Sequence, residues 1–139
     1  MEPNLVAVLI AAIIPMILGA LWYSPILFGK KWMTLMGKTE EELKAGFNPV
    51  KTYGFSFLAS LVMAYILGHF AIYATFATGA TGFGAGMQTG FWAWLGFVVT
   101  TGSSTVLYES RKSGLFWINT GYYFVSLLLM GGVLASWPG

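Results

Sequence analysis

The chain has 139 residues, of which 57% are apolar and only 9% are charged, whereas an average soluble domain carries about 25% charged residues. Seven basic and five acidic residues give a formal net charge of +2, with no cysteine and one histidine. This composition excludes a soluble surface, disulfides and thiolate metal sites, and nothing in it calls for a cofactor. Because each membrane helix needs about 20 apolar residues, residues 1–139 fit an all-α membrane protein with a single four-span integral membrane domain.

The first predicted span is the uncharged apolar run over residues 5–24. Asn4 is a suitable N-cap for this helix, and Pro15 inside it predicts a local kink. A cleavable signal peptide would begin with basic residues and end at a small-residue cleavage site. This chain begins with Glu2 and Pro3 after the initial methionine, so we expect the span to remain in the mature protein.

Residues 25–52 are the most polar stretch and are expected to form a cytoplasmic loop. Pro25 disfavours helical geometry at the preceding residue, which predicts a bend after the first span. Residues 26–36 then carry apolar rings and two lysines on different sides, a pattern typical of an interfacial helix lying on lipid. The alternative is that the first helix continues to Met36 with a proline kink.

Helix-capping signals organise the rest of this loop. Thr39 and Glu42 form a capping box, which predicts a short helix over residues 40–45. Asn48 and Pro49 supply the N-cap and first-turn proline of the second span, predicted over residues 53–76. Small residues recur at every fourth position of that span and form a stripe on which another helix can pack: Ser56, Ser60, Ala64 and Gly68.

The second half of the chain contains two further apolar runs. Residues 78–86 are mostly small and uncharged, which predicts a flexible hairpin. Their glycine spacing does not meet the dinucleotide-binding motif. The third span is predicted over residues 87–108 and the fourth over residues 115–137, with a short polar turn between them.

The seven basic residues fall in only two loops: Lys30, Lys31, Lys38, Lys44 and Lys51 in the first, and Arg111 and Lys112 in the third. The positive-inside rule therefore puts both loops in the cytoplasm and both termini outside a bacterial cytoplasmic (inner) membrane. We expect Lys30 and Lys31 to meet anionic lipid head groups. The sequence lacks the basic and aromatic pattern of a nucleic-acid platform, so no nucleic-acid partner is expected.

Few side chains are available for acid–base chemistry. His69 is the only histidine and lies about 24 Å along the second span. An ionisable group at that depth is a possible proton relay, and the alternative is a neutral ring that bonds a neighbouring helix. Glu109 follows the third span on the cytoplasmic side, at a different depth from His69. We therefore predict no catalytic residues and no enzyme activity, and no metal site.

The most suggestive polar segment is in the cytoplasmic half of the third span. Hydroxyls there either bond to their own helix or face other helices and water, and Gly102 weakens the helix at the same point. Helix interruptions of this kind mark substrate sites in transporters. The predicted pore or polar pocket contains Thr100, Thr101, Ser103, Ser104, Glu109 and Asn119. The alternative is a packing seam of small residues closed by Asn119.

The end of the first span carries the most specific motif in the chain. It comprises a Trp-Tyr-Ser-Pro element, a Leu-Phe-Gly element and a further tryptophan: Trp22, Tyr23, Ser24, Pro25, Leu27, Phe28, Gly29 and Trp32. With the total length and the four-span layout, it resembles a bacterial membrane family called domain of unknown function 1761. The resemblance implies a four-helix integral membrane protein with no assigned activity. We interpret the motif as a membrane-interface element, because tryptophan and tyrosine concentrate at that depth.

Two functional hypotheses follow. Four spans enclose little volume, so a pathway between subunits would suit them better than one inside a monomer. The leading hypothesis is therefore a homo-oligomeric channel or carrier for a small solute, using the polar segment of the third span. The alternative is a non-transporting scaffold, assembly factor or lipid-organising protein that uses residues 22–36 as its membrane-surface element.

Overall fold

The computed structural model describes residues 2–137. Over that range, all regular secondary structure is helical. The elements are α1 (Leu5–Trp22), α2 (Gly29–Met36), α3 (Glu40–Lys44), α4 (Pro49–Thr78), α5 (Phe83–Ala93), a π-helical segment (Trp94–Val99), α6 (Thr100–Leu107) and α7 (Ser113–Ser136). Three of them, α1, α4 and α7, are long and apolar enough to cross a membrane. The all-helical prediction is confirmed for the described residues.

The capping signals form as predicted. The Asn4 side chain accepts hydrogen bonds from two first-turn amides of α1, and Asn48 does the same for one amide of α4. Thr39 accepts from the amide of Glu42 at 3.1 Å, which starts the predicted short helix α3. These side chains satisfy amides that have no partner within their own helix.

The first helix ends at Trp22 and does not continue to Met36. The alternative of one long kinked helix is therefore wrong. The chain turns back after Tyr23, because the amide of Phe28 donates to the carbonyl of Trp22 at 3.0 Å. The amide of Gly29 donates to the carbonyl of Ser24 at 2.9 Å. The predicted interfacial helix corresponds to α2, which begins at Gly29 and not at residue 26.

The second predicted span is longer than expected. Helix α4 has 30 residues, starts directly at Pro49 and ends at Thr78, where Gly79 follows with a left-handed φ of 73°. In the predicted small-residue stripe, Ser60, Ala64 and Gly68 are buried, whereas Ser56 is exposed. A Cβ added to Gly68 would lie 2.8 Å from the ring of Pro3. The Gly68 end of the stripe thus packs against the chain segment that leads into α1.

The third predicted span is one continuous helical path that starts earlier than predicted. Helix α5, the π-helical segment and α6 follow each other without a loop, and the connection after α4 is reduced to residues 79–82. A π-helical turn carries an extra residue relative to an α-helical turn. It therefore rotates the residues of α6 about the axis relative to those of α5.

Helix α7 lies at the centre of the packing and contacts α1, α2, α4, α5 and α6. Its closest neighbour is α5, where Gly86 and Gly90 bring the two backbones together. A Cβ at Gly86 would overlap the carbonyl oxygen of Gly131, and one at Gly90 would overlap the carbonyl oxygen of Leu127. Small residues at such a contact let two helices approach until their backbones touch.

Adding one methyl group at this contact tests it. We expect Gly90→Ala to lower the midpoint of thermal unfolding in detergent, followed by near-ultraviolet circular dichroism. The added carbon would force α5 away from α7, and overpacking of this kind costs about 1–3 kcal/mol.

Gly84→Ala is the matched control, because it is the same substitution in the same helix with no atom within 4 Å of the added carbon. Helix propensity alone predicts an unchanged or slightly higher midpoint for this control. Equal midpoints for the two variants would contradict the backbone contact between α5 and α7.

Candidate functional site

A cavity of about 340 Å³ opens at the surface between α4, α6 and α7. None of its lining residues is charged, and five of them carry hydroxyl or amide groups: Thr101, Thr105, Asn119, Thr120 and Tyr123. Its apolar wall includes Met63 and Phe116. An apolar cavity with a few convergent polar groups is the usual form of a small-molecule site, so it is the candidate site of this protein.

The hydroxyl groups of α6 donate hydrogen bonds to carbonyls of their own helical path. Thr105 donates to Gly102 at 2.7 Å, and Thr101 donates to Phe97. A hydroxyl has a single proton but two acceptor lone pairs. Thr120 of α7 likewise donates to the carbonyl of Phe116 at 2.6 Å, so the three threonines of the cavity offer acceptors and no donor to a bound molecule.

Only part of the predicted polar pocket lies at this cavity. The structure brings Thr101 and Asn119 together there. Thr100 is exposed and donates to the carbonyl of Gly96 at 2.7 Å. The side chains of Ser103, Ser104 and Glu109 do not line the cavity; both serines donate to carbonyls of α6, and Glu109 is exposed in the turn that follows it.

Three polar lining residues were missing from the prediction: Thr105, Thr120 and Tyr123. Two of them follow a predicted residue by four positions, Thr105 after Thr101 and Tyr123 after Asn119. Residues four apart share one face of a helix, so this spacing was the signal that would have found them. Thr120 does not lie four positions from a predicted residue, so this spacing would not have found it.

Asn119 is held in the cavity wall by Tyr23. The phenol of Tyr23 donates to Asn119 Oδ1 at 2.6 Å. Because this bond uses the amide oxygen, the amide nitrogen is the group that Asn119 offers as a donor. The Tyr23 ring is in turn packed edge-on against Trp32 and Tyr122, with centroid distances of 5.6 Å and 5.5 Å.

The rest of the motif also packs against α7. The indole nitrogen of Trp22 donates to the carbonyl of Ile118 at 2.9 Å. The Trp22 ring lies 4.8 Å from the ring of Phe28, centroid to centroid. Gly29 is buried in the turn, where a Cβ would collide with the backbone of residues 23 and 24. The motif thus positions the end of α1 on α7, beside the cavity.

Within the motif, exposure divides the residues into two groups. Trp22, Tyr23, Ser24 and Trp32 are half-buried, whereas residues 25–28 form an exposed tip. The hydroxyl of Ser24 donates to the carbonyl of Leu21 at 2.6 Å and so closes the last turn of α1. Placement of this tip at a membrane interface stays a prediction.

His69 is separate from the candidate cavity. Its ring lies between Tyr65 and Tyr73, one turn away on either side in α4, at centroid distances of 4.8 Å and 5.9 Å. Its Nδ1 is buried without a hydrogen-bond partner among residues 2–137. A proton-relay role for His69 stays a prediction. Over the same residues, no group of three side chains suited to a metal ion is present.

The bond between Tyr23 and Asn119 is tested by removing one hydroxyl. We expect Tyr23→Phe to destabilise the protein by about 1 kcal/mol, because the amide oxygen of Asn119 loses its donor. The measurement is thermal unfolding in detergent. Tyr108→Phe is the matched control, since Tyr108 is 86% exposed and its hydroxyl contributes nothing to packing.

A double-mutant cycle completes this test. In an Asn119→Leu background, Tyr23→Phe should cost less than it does in the wild-type chain, because the hydrogen bond is already absent. Additive effects of the two substitutions would contradict a direct interaction between these side chains.

Comparison with known proteins agrees with the family resemblance that the motif carries. No curated protein and no solved structure matches the chain significantly. The family model described as "Protein of unknown function (DUF1761)" matches residues 6–135, which is nearly the whole chain. The match includes the motif at the end of α1, all but the last residue of α7, and every residue that lines the cavity. The chain therefore belongs to the DUF1761 family.

Proposed function

We propose that the protein crosses a bacterial inner membrane four times. In addition to α1, α4 and α7, the fourth crossing is the continuous helical path from Phe83 to Leu107. At 1.5 Å per residue this path is about 37 Å long, enough for a hydrocarbon core of about 30 Å. It contains no charged residue. Because the π-helical segment divides this path, neither α5 nor α6 by itself is long enough to cross the membrane.

The proposed orientation puts both termini outside. The connection from α1 to α4, the first turn of α4 and the turn before α7 contain all seven basic residues, whereas the connection from α4 to α5 contains none. This distribution supports a cytoplasmic position for the two basic connections. The candidate cavity then lies in the cytoplasmic half of the membrane.

Within this arrangement, we propose that the protein is a channel or carrier for a small uncharged solute. The observation that supports it is the cavity itself, which combines hydrogen-bonding groups with an apolar wall and has no charged lining residue. An ion would lose its hydration there without a compensating charge. A neutral molecule could donate to the threonine hydroxyls and accept from the amide of Asn119.

We further propose that the working form is a homo-oligomer. The cavity opens at the surface of one chain, so a second copy would be needed to enclose a bound molecule. On α6 and the π-helical segment, Gly96 and Thr100 are exposed, and no atom lies within 4 Å of a Cβ built on Gly96. This face leaves room for close approach of another helix.

Flux through proteoliposomes tests the transport proposal. We expect the wild-type protein to accelerate the entry of a small neutral solute such as glycerol or urea, measured by light scattering after an osmotic step. Thr105→Val should reduce this rate about fivefold, because it removes one acceptor of the cavity without changing side-chain shape.

Thr34→Val is the matched control for this experiment. Thr34 also donates to a carbonyl of its own helix, that of Lys30 at 3.0 Å, but lies in α2, outside both the cavity and the face of Gly96 and Thr100. Its variant should transport like the wild type. Entry no faster than in protein-free vesicles, or equal loss in both variants, would overturn the proposal.

A second candidate function is favoured by the exposed tip of the motif. Ile26 is 82% exposed and Leu27 is 51% exposed, although they lie between residues that pack tightly on α7. With the neighbouring Lys30 and Lys31, they form an apolar and basic surface suited to anionic lipid. A scaffold or lipid-organising protein would use this surface and leave the cavity without a role.

Crosslinking at the tip separates the two functions. A photoreactive residue replacing Ile26 should capture lipid or a second protein if the scaffold function is correct, and Val50 is a control position because it is equally exposed at 85%. Equal crosslinking at both positions would argue against a specific role of the tip.

A further inference from the structure

A second cavity, of about 300 Å³, lies at the C-terminal end of α2, beside the turn that precedes α7. The motif tip precedes the other end of α2. It is lined by Leu35, Met36, Ser110, Arg111, Lys112 and Leu115. It shares no residue with the candidate solute cavity. Its walls divide into a basic part from the turn and an apolar part from the two helices.

The basic part carries two charges without partners. Arg111 and Lys112 are exposed, and neither has a carboxylate within 4.0 Å among residues 2–137, where the single ion pair joins Lys44 to Glu40. The turn that presents them is fixed by its backbone, because the amide of Arg111 donates to the carbonyl of Thr105 at 2.9 Å. The two cations are therefore adjacent, held in place and available to an anion.

The apolar part is formed by α2 seated on the start of α7. A Cβ added to Gly114 would lie 2.7 Å from a methyl carbon of Leu35, so the two helices are in direct contact there. Leu115 is buried behind this contact, at 5% exposure. Met36 completes a hydrocarbon surface immediately beside the two basic residues.

The position of the cavity relative to a membrane follows from α7. Ser113, the first residue of α7, begins a helix that is long and apolar enough to cross a membrane. With α7 crossing the membrane as proposed above, the preceding turn lies at one surface of the bilayer, at the depth of the lipid phosphates. At that depth, a basic wall beside a hydrocarbon wall matches the chemistry of a phospholipid.

We propose that this cavity binds an anionic phospholipid. The phosphate is bound by Arg111 and Lys112, and the first part of an acyl chain lies against Leu35 and Met36. Two uncompensated positive charges favour a lipid with net negative charge over a zwitterionic one. The site is independent of the solute cavity and does not require that the protein transports anything.

Lipid retention by the purified full-length chain tests the site. We expect native mass spectrometry from detergent to show one bound phosphatidylglycerol per chain after addition of that lipid, and far less bound phosphatidylcholine at the same concentration. The double variant Arg111→Gln with Lys112→Gln should bind phosphatidylglycerol roughly 30-fold more weakly, the factor that corresponds to two basic residues near an anionic lipid.

The matched control is the double variant Lys38→Gln with Lys51→Gln, which removes the same charge from residues that do not line the cavity. It should bind phosphatidylglycerol like the wild type, which would show that the site and not the net charge matters. Circular dichroism of both double variants checks that they are folded; their four positions are exposed.

Three results would overturn the proposal. Equal binding of phosphatidylglycerol and phosphatidylcholine would remove the role of the two charges. Equal loss in both double variants would reduce the effect to net charge. Displacement of the lipid by inorganic phosphate at similar concentration would identify a free-anion site that makes no use of the apolar wall.

Discussion

Two indole N–H groups from different parts of the chain donate hydrogen bonds to backbone carbonyls of α7. Trp22, at the end of α1, binds the carbonyl of Ile118, and Trp94, at the start of the π-helical segment, binds the carbonyl of Thr120 at 2.7 Å. In apolar surroundings each such donor must find a partner inside the protein. These two bonds hold α1 and the continuous helical path from Phe83 to Leu107 against one turn of α7. The position of the candidate cavity depends on them.

The same turn of α7 carries Asn119 and Tyr122, which extend these attachments to side chains. Tyr122 donates to the carbonyl of Pro15 at 2.6 Å, while Asn119 accepts from Tyr23. The motif at the end of α1 therefore contributes to the packing of α7. Its rings hold one wall of the cavity, whereas its tip, residues 25–28, is exposed. This explains why a motif at the end of one helix accompanies a cavity built from three others.

The π-helical segment decides which hydroxyl groups reach the cavity. An extra residue in the turn rotates the residues that follow it about the helix axis, so Thr101 and Thr105 line the cavity while Thr100 does not. A regular helix through the same residues would present a different set. Each hydroxyl of this segment donates its proton to a carbonyl of the same helical path. These bonds explain how so polar a segment is accommodated in a long apolar helix.

The sequence by itself determined the helical class, the caps of α1, α3 and α4, the short helix of the first loop and the family. These properties depend on residues close together in the chain: a hydrophobic run, a capping side chain, a charged pair or a contiguous motif. Only the tertiary structure decided which polar residues share a cavity, that Tyr23 binds Asn119 and that Leu35 and Met36 lie beside Arg111. The last two contacts join residues about 75 to 100 positions apart, and all of them depend on how closely two helices approach and how a π-helical turn rotates a face. No local pattern encodes which residues of α7 these helices meet, because tertiary packing sets that pairing.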